Sequence, residues 1–183
     1  MGGTSPHPPS ARYHRGLTAS ARSDAIWHLV VSIDRYEELL PLVHGAAAIV
    51  VETMAASSAH ITLIVDDQYY DLVNVGDLSV GLETFPERHF YPLDAFPSAS
   101  RCLLTHRGYL STDDSEAVRE YRAQTMFEVP ASFLGVPIVA QGRVFGELFL
   151  ARSADRPAFT REDLDLAMDL ATVIGGRLPI VVD

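Results

Sequence analysis

One cysteine, seven histidines, fourteen arginines and no lysine set the chemistry open to this chain of 183 residues. Cys102 has no second thiol, which excludes an internal disulfide, a four-cysteine zinc site and a dithiol redox pair. Without lysine there is no Schiff-base amine and no phosphate-loop ammonium. His7, His14, His28, His44, His60, His89 and His106 are scattered, with no pair at metal-ligand spacing, so no metal site is expected. No nucleophile and base can be matched by spacing either, and no catalytic residue is expected.

The middle of the chain holds the remaining candidates. Eight of the 16 aromatic residues fall between positions 85 and 133. An apolar cleft with a few convergent polar groups is what a small molecule needs, and rings supply much of the buried area. Phe90, Tyr91, Phe96, Tyr109, Tyr121, Phe127 and Phe133, with Cys102 among them, are therefore the expected ligand-binding residues; the competing expectation is that the rings only complete the core. Arg88, Arg101, Arg107, Arg119 and Arg122 lie in the same stretch and have the fork geometry for an anionic ligand, although solvated surface positions suit arginine equally well.

These residues must be carried by one ordinary domain, since 20.0 kDa leaves no room for two full cores. Hydrophobic residues make up 48% and charged residues 21%, enough for a packed core. A net charge of −10 repels phosphate backbones, so direct nucleic-acid binding is not expected. Nothing approaches the roughly 20 apolar residues of a membrane span, and the Gly-, Pro- and Ser-rich start has no signal-peptide core. Residues 1–23 read as a flexible tail and 24–183 as the domain. A cytoplasmic location is the expectation.

Along the domain, Ile26, Leu29, Val30 and Ile33 are spaced for a short helix. Asp34 and Glu37 suggest a capping box for a second helix, whose stripe runs through Leu39, Val43, Ala47 and Val50, with Pro41 as a kink or a start. Alternating runs over residues 61–65 and 69–75, separated by Asp66-Asp67-Gln68, predict an antiparallel hairpin. Residues 76–132 read as irregular, with helices near 98–106 and 116–126. Residues 132–140 and 143–152 predict a second hairpin about Gln141-Gly142. Thr160 and Asp163 cap a last helix that Gly175-Gly176 should weaken or end. Its second stripe, Leu166, Leu170 and Val173, calls for a partner beyond the sheet. The sum is an α+β domain: a central antiparallel sheet, N- and C-terminal helices on one face, and the irregular segment over the other.

Three stretches in the last third, taken in order, carry a family resemblance: Ser132-Phe133-Leu134-Gly135-Val136-Pro137-Ile138, then Val144-Phe145-Gly146-Glu147-Leu148-Phe149-Leu150 after Gly142, then Phe159-Thr160-Arg161-Glu162-Asp163-Leu164. With weaker support from Tyr91-Pro92-Leu93 and Val65-Asp66-Asp67, residues 34–178 resemble the GAF domain family of sensory modules. The resemblance implies a ligand cavity between the sheet and residues 85–133, and terminal helices that pair in a homodimer.

Specialised chemistries of that family fit poorly. Free methionine sulfoxide reductases resolve a sulfenic acid through a second cysteine, which this chain lacks. Bilin-attaching cysteines are typically followed by histidine, whereas Leu103 follows Cys102. Haem needs one axial histidine in the cavity segment, where only His89 and His106 stand. Phe159 and Asp163 match half of a cyclic-nucleotide motif, but Leu164 replaces its glutamate and its lysine is absent. The expectation is a non-enzymatic sensor of an unidentified small molecule, with no cofactor assigned, acting through a separate output protein or domain. The alternative is a docking or dimerisation module whose pocket is filled by its own side chains.

Overall fold

The computed structural model describes residues 18–65, 68–76, 90–124 and 130–182. Helix α1 (Ala19–Ile33) starts within the stretch expected to be tail, because Thr18 caps it by accepting from the Ala21 amide at 3.2 Å. Helix α2 (Leu39–Thr53) begins just before Pro41, so the proline sits in the first turn, where its missing amide breaks no helical bond. The expected capping box does not form. Asp34 closes α1, and Glu38 takes the N-cap of α2 without a side-chain bond.

Strands β1 (Ser58–Val65) and β2 (Gln68–Gly76) pair antiparallel with Val65 opposite Gln68, as the alternation predicts. The short β3 (Phe90–Pro92) adds to β2, and a 3-10 turn (Leu93–Ala95) leads into α3 (Pro97–Thr105). His106 ends α3 in the left-handed region, a capping role. Then come β4 (Tyr109–Leu110), α4 (Ser115–Gln124), β5 (Ser132–Ala140), β6 (Arg143–Arg152) and α5 (Arg161–Val182). Gln141 and Gly142, at φ values of 50° and 75°, form a tight turn between β5 and β6 whose twist suits two adjacent strands. The six strands run in the order β3-β2-β1-β6-β5-β4, every neighbouring pair antiparallel. This is the expected α+β architecture.

One sheet face is sealed by α1, α2 and α5. Ala59 and Ile61 of β1, Leu134, Val136 and Ile138 of β5, and Leu148 and Leu150 of β6 pack there against Val43, Ala47, Val50, Leu170 and Ile174. Each buried aliphatic side chain contributes about 1.5–3 kcal/mol of transfer free energy. The second stripe of α5 is satisfied inside the domain: Leu166 and Leu170 are buried in this same core, which α1 and α2 complete. Gly175 does not end α5. It lets the helix lie against β5, since a Cβ there would come within 2.4 Å of the Val139 carbonyl. Arg152 ties the end of α2 to the start of α5, donating to the Met54 carbonyl at 2.5 Å and to Asp163 at 3.4 Å, with its guanidinium 3.9 Å from the Phe159 ring centroid.

Helices α3 and α4 lie on the opposite face, as expected of the irregular segment. Ala99 and Leu103 of α3 pack on Tyr69 and Ile64, while Ala117 of α4 packs on Phe133 and Ala151. Among the described residues, no helix is long and apolar enough to cross a membrane.

Candidate functional site

Alternation along the strands decides which side chains face α3 and α4. In the uninterrupted β1–β6 register, Ser58 stands opposite Ala151, His60 opposite Phe149 and Thr62 opposite Glu147. The irregularity between Ile61 and Thr62 shifts the β2 register by one residue, which brings Asp71 beside Thr62 on this same face, with Asn74 beside His60. The face toward α3 and α4 therefore carries Ser58, His60, Thr62, Asp71 and Glu147, all buried. His60 Nε2 and Asp71 Oδ1 are 3.2 Å apart. Such a concentration of buried polar groups is unusual for a sheet face, because each group left unpaired costs about 1–3 kcal/mol.

Glu147 is the most constrained of them. It is 6% exposed, and its Oε1, like Thr62 Oγ1 across the strand pair and Ser58 Oγ further along, has no hydrogen-bond partner among the described residues. Gly135 makes the space it occupies: a Cβ on that residue would fall 2.2 Å from Glu147 Oε1 and 2.4 Å from the Tyr109 ring. Burial pushes the Glu147 carboxyl up to about 7, and the neighbouring Tyr109 hydroxyl draws it only partly back. In the other direction, burial and then the Glu147 charge raise the Tyr109 phenol well above its ordinary value. At neutral pH this carboxyl is poised between a donor and a charged acceptor.

The structure brings several expected site residues to this face. Tyr121 and Phe133 stack at 5.2 Å between centroids, and Phe149, which the sequence reading did not select, lies 5.9 Å from Tyr121 and 5.4 Å from Phe133. Tyr109 lies on Gly135 beside Glu147. Phe96 packs at the Tyr69 and Leu103 cluster, nearer the β2 side. Cys102 is 2% exposed, with Sγ 4.0 Å from the Gly135 carbonyl, and burial followed by the Glu147 charge pushes its thiol far up. Phe90 and Tyr91 pair as backbone with Tyr70 and Tyr69. Phe127, Phe85, Arg88 and His89 lie outside the described residues.

The described arginines of the expected set do not converge on this face. Arg101 is held by Asp114 at 2.6 Å and Glu116 at 3.3 Å, and Arg107, Arg119 and Arg122 are exposed. A polar cleft of about 340 Å³ opens between α3 and the start of α5, with Arg101, Arg107, Asp114 and Arg161 on its outer walls and Cys102 and Tyr109, which adjoin this face, at its inner wall. No group of three or more His, Cys, Asp or Glu side chains among the described residues is arranged to hold a metal ion.

The family model described as "GAF domain" matches residues 38–178. The chain belongs to the GAF domain family. Solved structures agree on the fold. The GAF domain of an Acinetobacter phosphoenolpyruvate-protein phosphotransferase is similar at 16% identity over 88% of this chain and 95% of that one, with a TM-score of 0.68. The free methionine-R-sulfoxide reductase of Neisseria meningitidis, solved with its substrate, is similar at 15% identity over 92% and 95%, with a TM-score of 0.69. The chromophore-binding domain of a bacteriophytochrome from R. palustris is similar at 12% identity over 94% of this chain and 63% of that one, with a TM-score of 0.61. No curated protein matches the chain. GAF domains are, as a family, sensory modules of signalling proteins.

Within this GAF domain, the sequence reading missed Glu147, Thr62, His60 and Asp71. A signal for two of them was present: His60 and Thr62 alternate with Ala59, Ile61 and Leu63, which places polar side chains on the face away from the helices. Glu147 is hidden inside the apolar run of residues 144–150. A charged residue in a strand with both neighbouring strands paired has nowhere to go but the opposite sheet face, and that needs the strand order.

Proposed function

We propose that this GAF domain is a non-enzymatic sensor that binds a small molecule between the sheet face beneath α3 and α4 and residues 85–133. The observation that carries the reading is the buried polar row from His60 and Asp71 to Thr62 and Glu147, flanked by the aromatic group Tyr121, Phe133 and Phe149. Rings supply apolar contact and the row supplies directional hydrogen bonds, the mixture a small-molecule site requires. Phe96, Cys102 and Tyr109 form the α3 side of the site, and Phe90, Tyr91 and Phe127 belong to the same proposed set.

Catalysis by the thiol is disfavoured. Cys102 is alone, and its burial favours the protonated, unreactive form. In this reading the signal passes by differential ligand affinity for two arrangements of the helices, where 1–3 kcal/mol of coupling suffices. A homodimer through the terminal helices delivers it to a separate output protein or domain. The exposed Trp27 (68%) and Val31 (54%), one turn apart on α1, support that contact, whereas the buried stripe of α5 no longer does. Native mass spectrometry of gently purified protein, with thermal-shift screening of nucleotides, haem and lipophilic metabolites, tests the reading. A retained or stabilising ligand is expected; no ligand and no stabilisation count against it.

The second reading is a docking or dimerisation module with a filled pocket. It is favoured by the mutual packing of Tyr121, Phe133 and Phe149, which occupy one another's contact surface. A dimer by sedimentation, indifferent to every compound, is the outcome it requires.

A further inference from the structure

The sensor reading leaves the chemical class of the ligand open, and the Glu147 corner of the face narrows it. Two adjacent strands place a carboxylate oxygen and a hydroxyl side by side, Glu147 Oε1 and Thr62 Oγ1, both buried and both without a hydrogen-bond partner among the described residues. Directly opposed strand residues have Cβ atoms about 5 Å apart, a span that one small planar group bridges. Two residues along β6 from Glu147 stands Phe149, whose ring is parallel to Tyr121 within 1°. The corner has acceptors and flat rings, with the Tyr109 hydroxyl beside Glu147 as a donor and His60 further along held by Asp71, but no described arginine: Arg101 is committed to Asp114 and Glu116 on the outer side of α3.

We propose that this corner recognises a flat ring bearing paired N–H donors of the amidine or amino-heterocycle type, neutral or cationic, with Glu147 as principal acceptor and Thr62 as secondary contact. The proposal rests on the sensor reading above and specifies its ligand. A ligand N–H pair gives Glu147 Oε1 the bond it lacks, and hydrogen bonds to a charged group contribute about 1.5–3 kcal/mol. The ring lies toward Phe149 and Phe133, where a flat cation also gains from the ring faces. An anionic ring of the same shape is rejected, because it sets two carboxylates together in a buried site.

Three compounds of one shape and different charge test this: benzamidine, benzamide and benzoate, titrated into the full chain and followed by thermal shift and by chemical-shift changes of the methyl and aromatic resonances. The expected order is benzamidine strongest, benzamide weaker and benzoate without effect. Glu147→Gln is expected to weaken benzamidine by at least about tenfold, the equivalent of 1.4 kcal/mol, and Thr62→Val to weaken it by a smaller factor. Each variant's circular dichroism and melting transition are recorded first, and Thr62→Val keeps the test valid if Glu147→Gln does not fold. Benzoate binding as well as benzamidine, benzamidine affinity unchanged in both variants, or no binding by any of the three overturns the proposal. If the proposal falls while a compound of another class from the wider screen perturbs Phe133 and Phe149, the sensor reading stands and only the ligand class is wrong. If the screen is empty as well, both fall.

Discussion

Toward α1, α2 and α5, β1 presents Ala59 and Ile61 and β6 presents Leu148 and Leu150, all fully buried in one apolar core. Toward α3 and α4 the same two strands present Ser58, His60 and Thr62, and Glu147 and Phe149. The backbone ladder is common to both faces, so the difference lies wholly in the side chains. The helix-packed face gains stability from every residue on it. The other face gives stability up, since Ser58 Oγ, Thr62 Oγ1 and Glu147 Oε1 are buried without partners among the described residues. Groups that cost stability are expected where a ligand binds, in keeping with the sensor reading proposed above.

Substitutions on the two faces should therefore have opposite signatures. The largest effect is expected on the helix-packed face. Leu150→Ala should cost about 2–5 kcal/mol in urea or guanidinium unfolding, because the cavity it leaves is walled by packed helices and cannot collapse. Next is Gly135→Ala, on the other face, where the added methyl meets Glu147 Oε1 and the Tyr109 ring at 2.2 and 2.4 Å. A loss of about 1–3 kcal/mol is expected, together with a changed tyrosine fluorescence or near-ultraviolet dichroism as the Tyr109 ring is displaced. The smallest effect distinguishes the faces most sharply. Thr62→Val, nearly isosteric, removes a buried hydroxyl that has no partner among the described residues, and should leave stability unchanged or raise it by up to about 1 kcal/mol. A loss of 2 kcal/mol or more would instead mean that Thr62 is an ordinary structural residue, and the contrast between the faces would fail there.

Most of the framework was legible in the sequence because it rests on local signals. Ile61 and Leu63 alternate with polar neighbours, Gln141-Gly142 has the residues its turn requires, and Thr160 with Asp163 forms the reciprocal cap seen at 3.2 and 2.8 Å. The errors arose where tertiary contact overrides local preference. Gly175 reads as a helix end, yet it permits close approach to Val139; Leu166 and Leu170 read as surplus, yet α1 and α2 complete the core that covers them. The candidate site was only half legible. Tyr109, Tyr121 and Phe133, which the structure places on or beside this face, were selected because rings clustered in the middle of the chain suggest a cavity. Glu147 and Asp71 were not, since their position depends on which strands are neighbours and on a one-residue register shift in β2, and neither is written in local sequence.

The claim that the face beneath α3 and α4 holds a buried carboxyl, helped only in part by the Tyr109 hydroxyl, is tested most directly by the pH dependence of stability. Burial pushes the Glu147 carboxyl up to about 7 in the folded chain from an ordinary value of 4.5, so between those values the folded state should hold a proton that the unfolded state has lost. Its contribution is complete below about pH 4.5, declines as pH rises toward 7 and is level above that. Unfolding free energies of the wild type and Glu147→Gln, measured side by side from about pH 4.5 to pH 8, cancel the effect of all other carboxylates. The wild type is expected to fall relative to the variant by about 3 kcal/mol across that range. Two curves that stay parallel would show that Glu147 is solvated or that both its oxygens are paired, and the account of this face would be wrong.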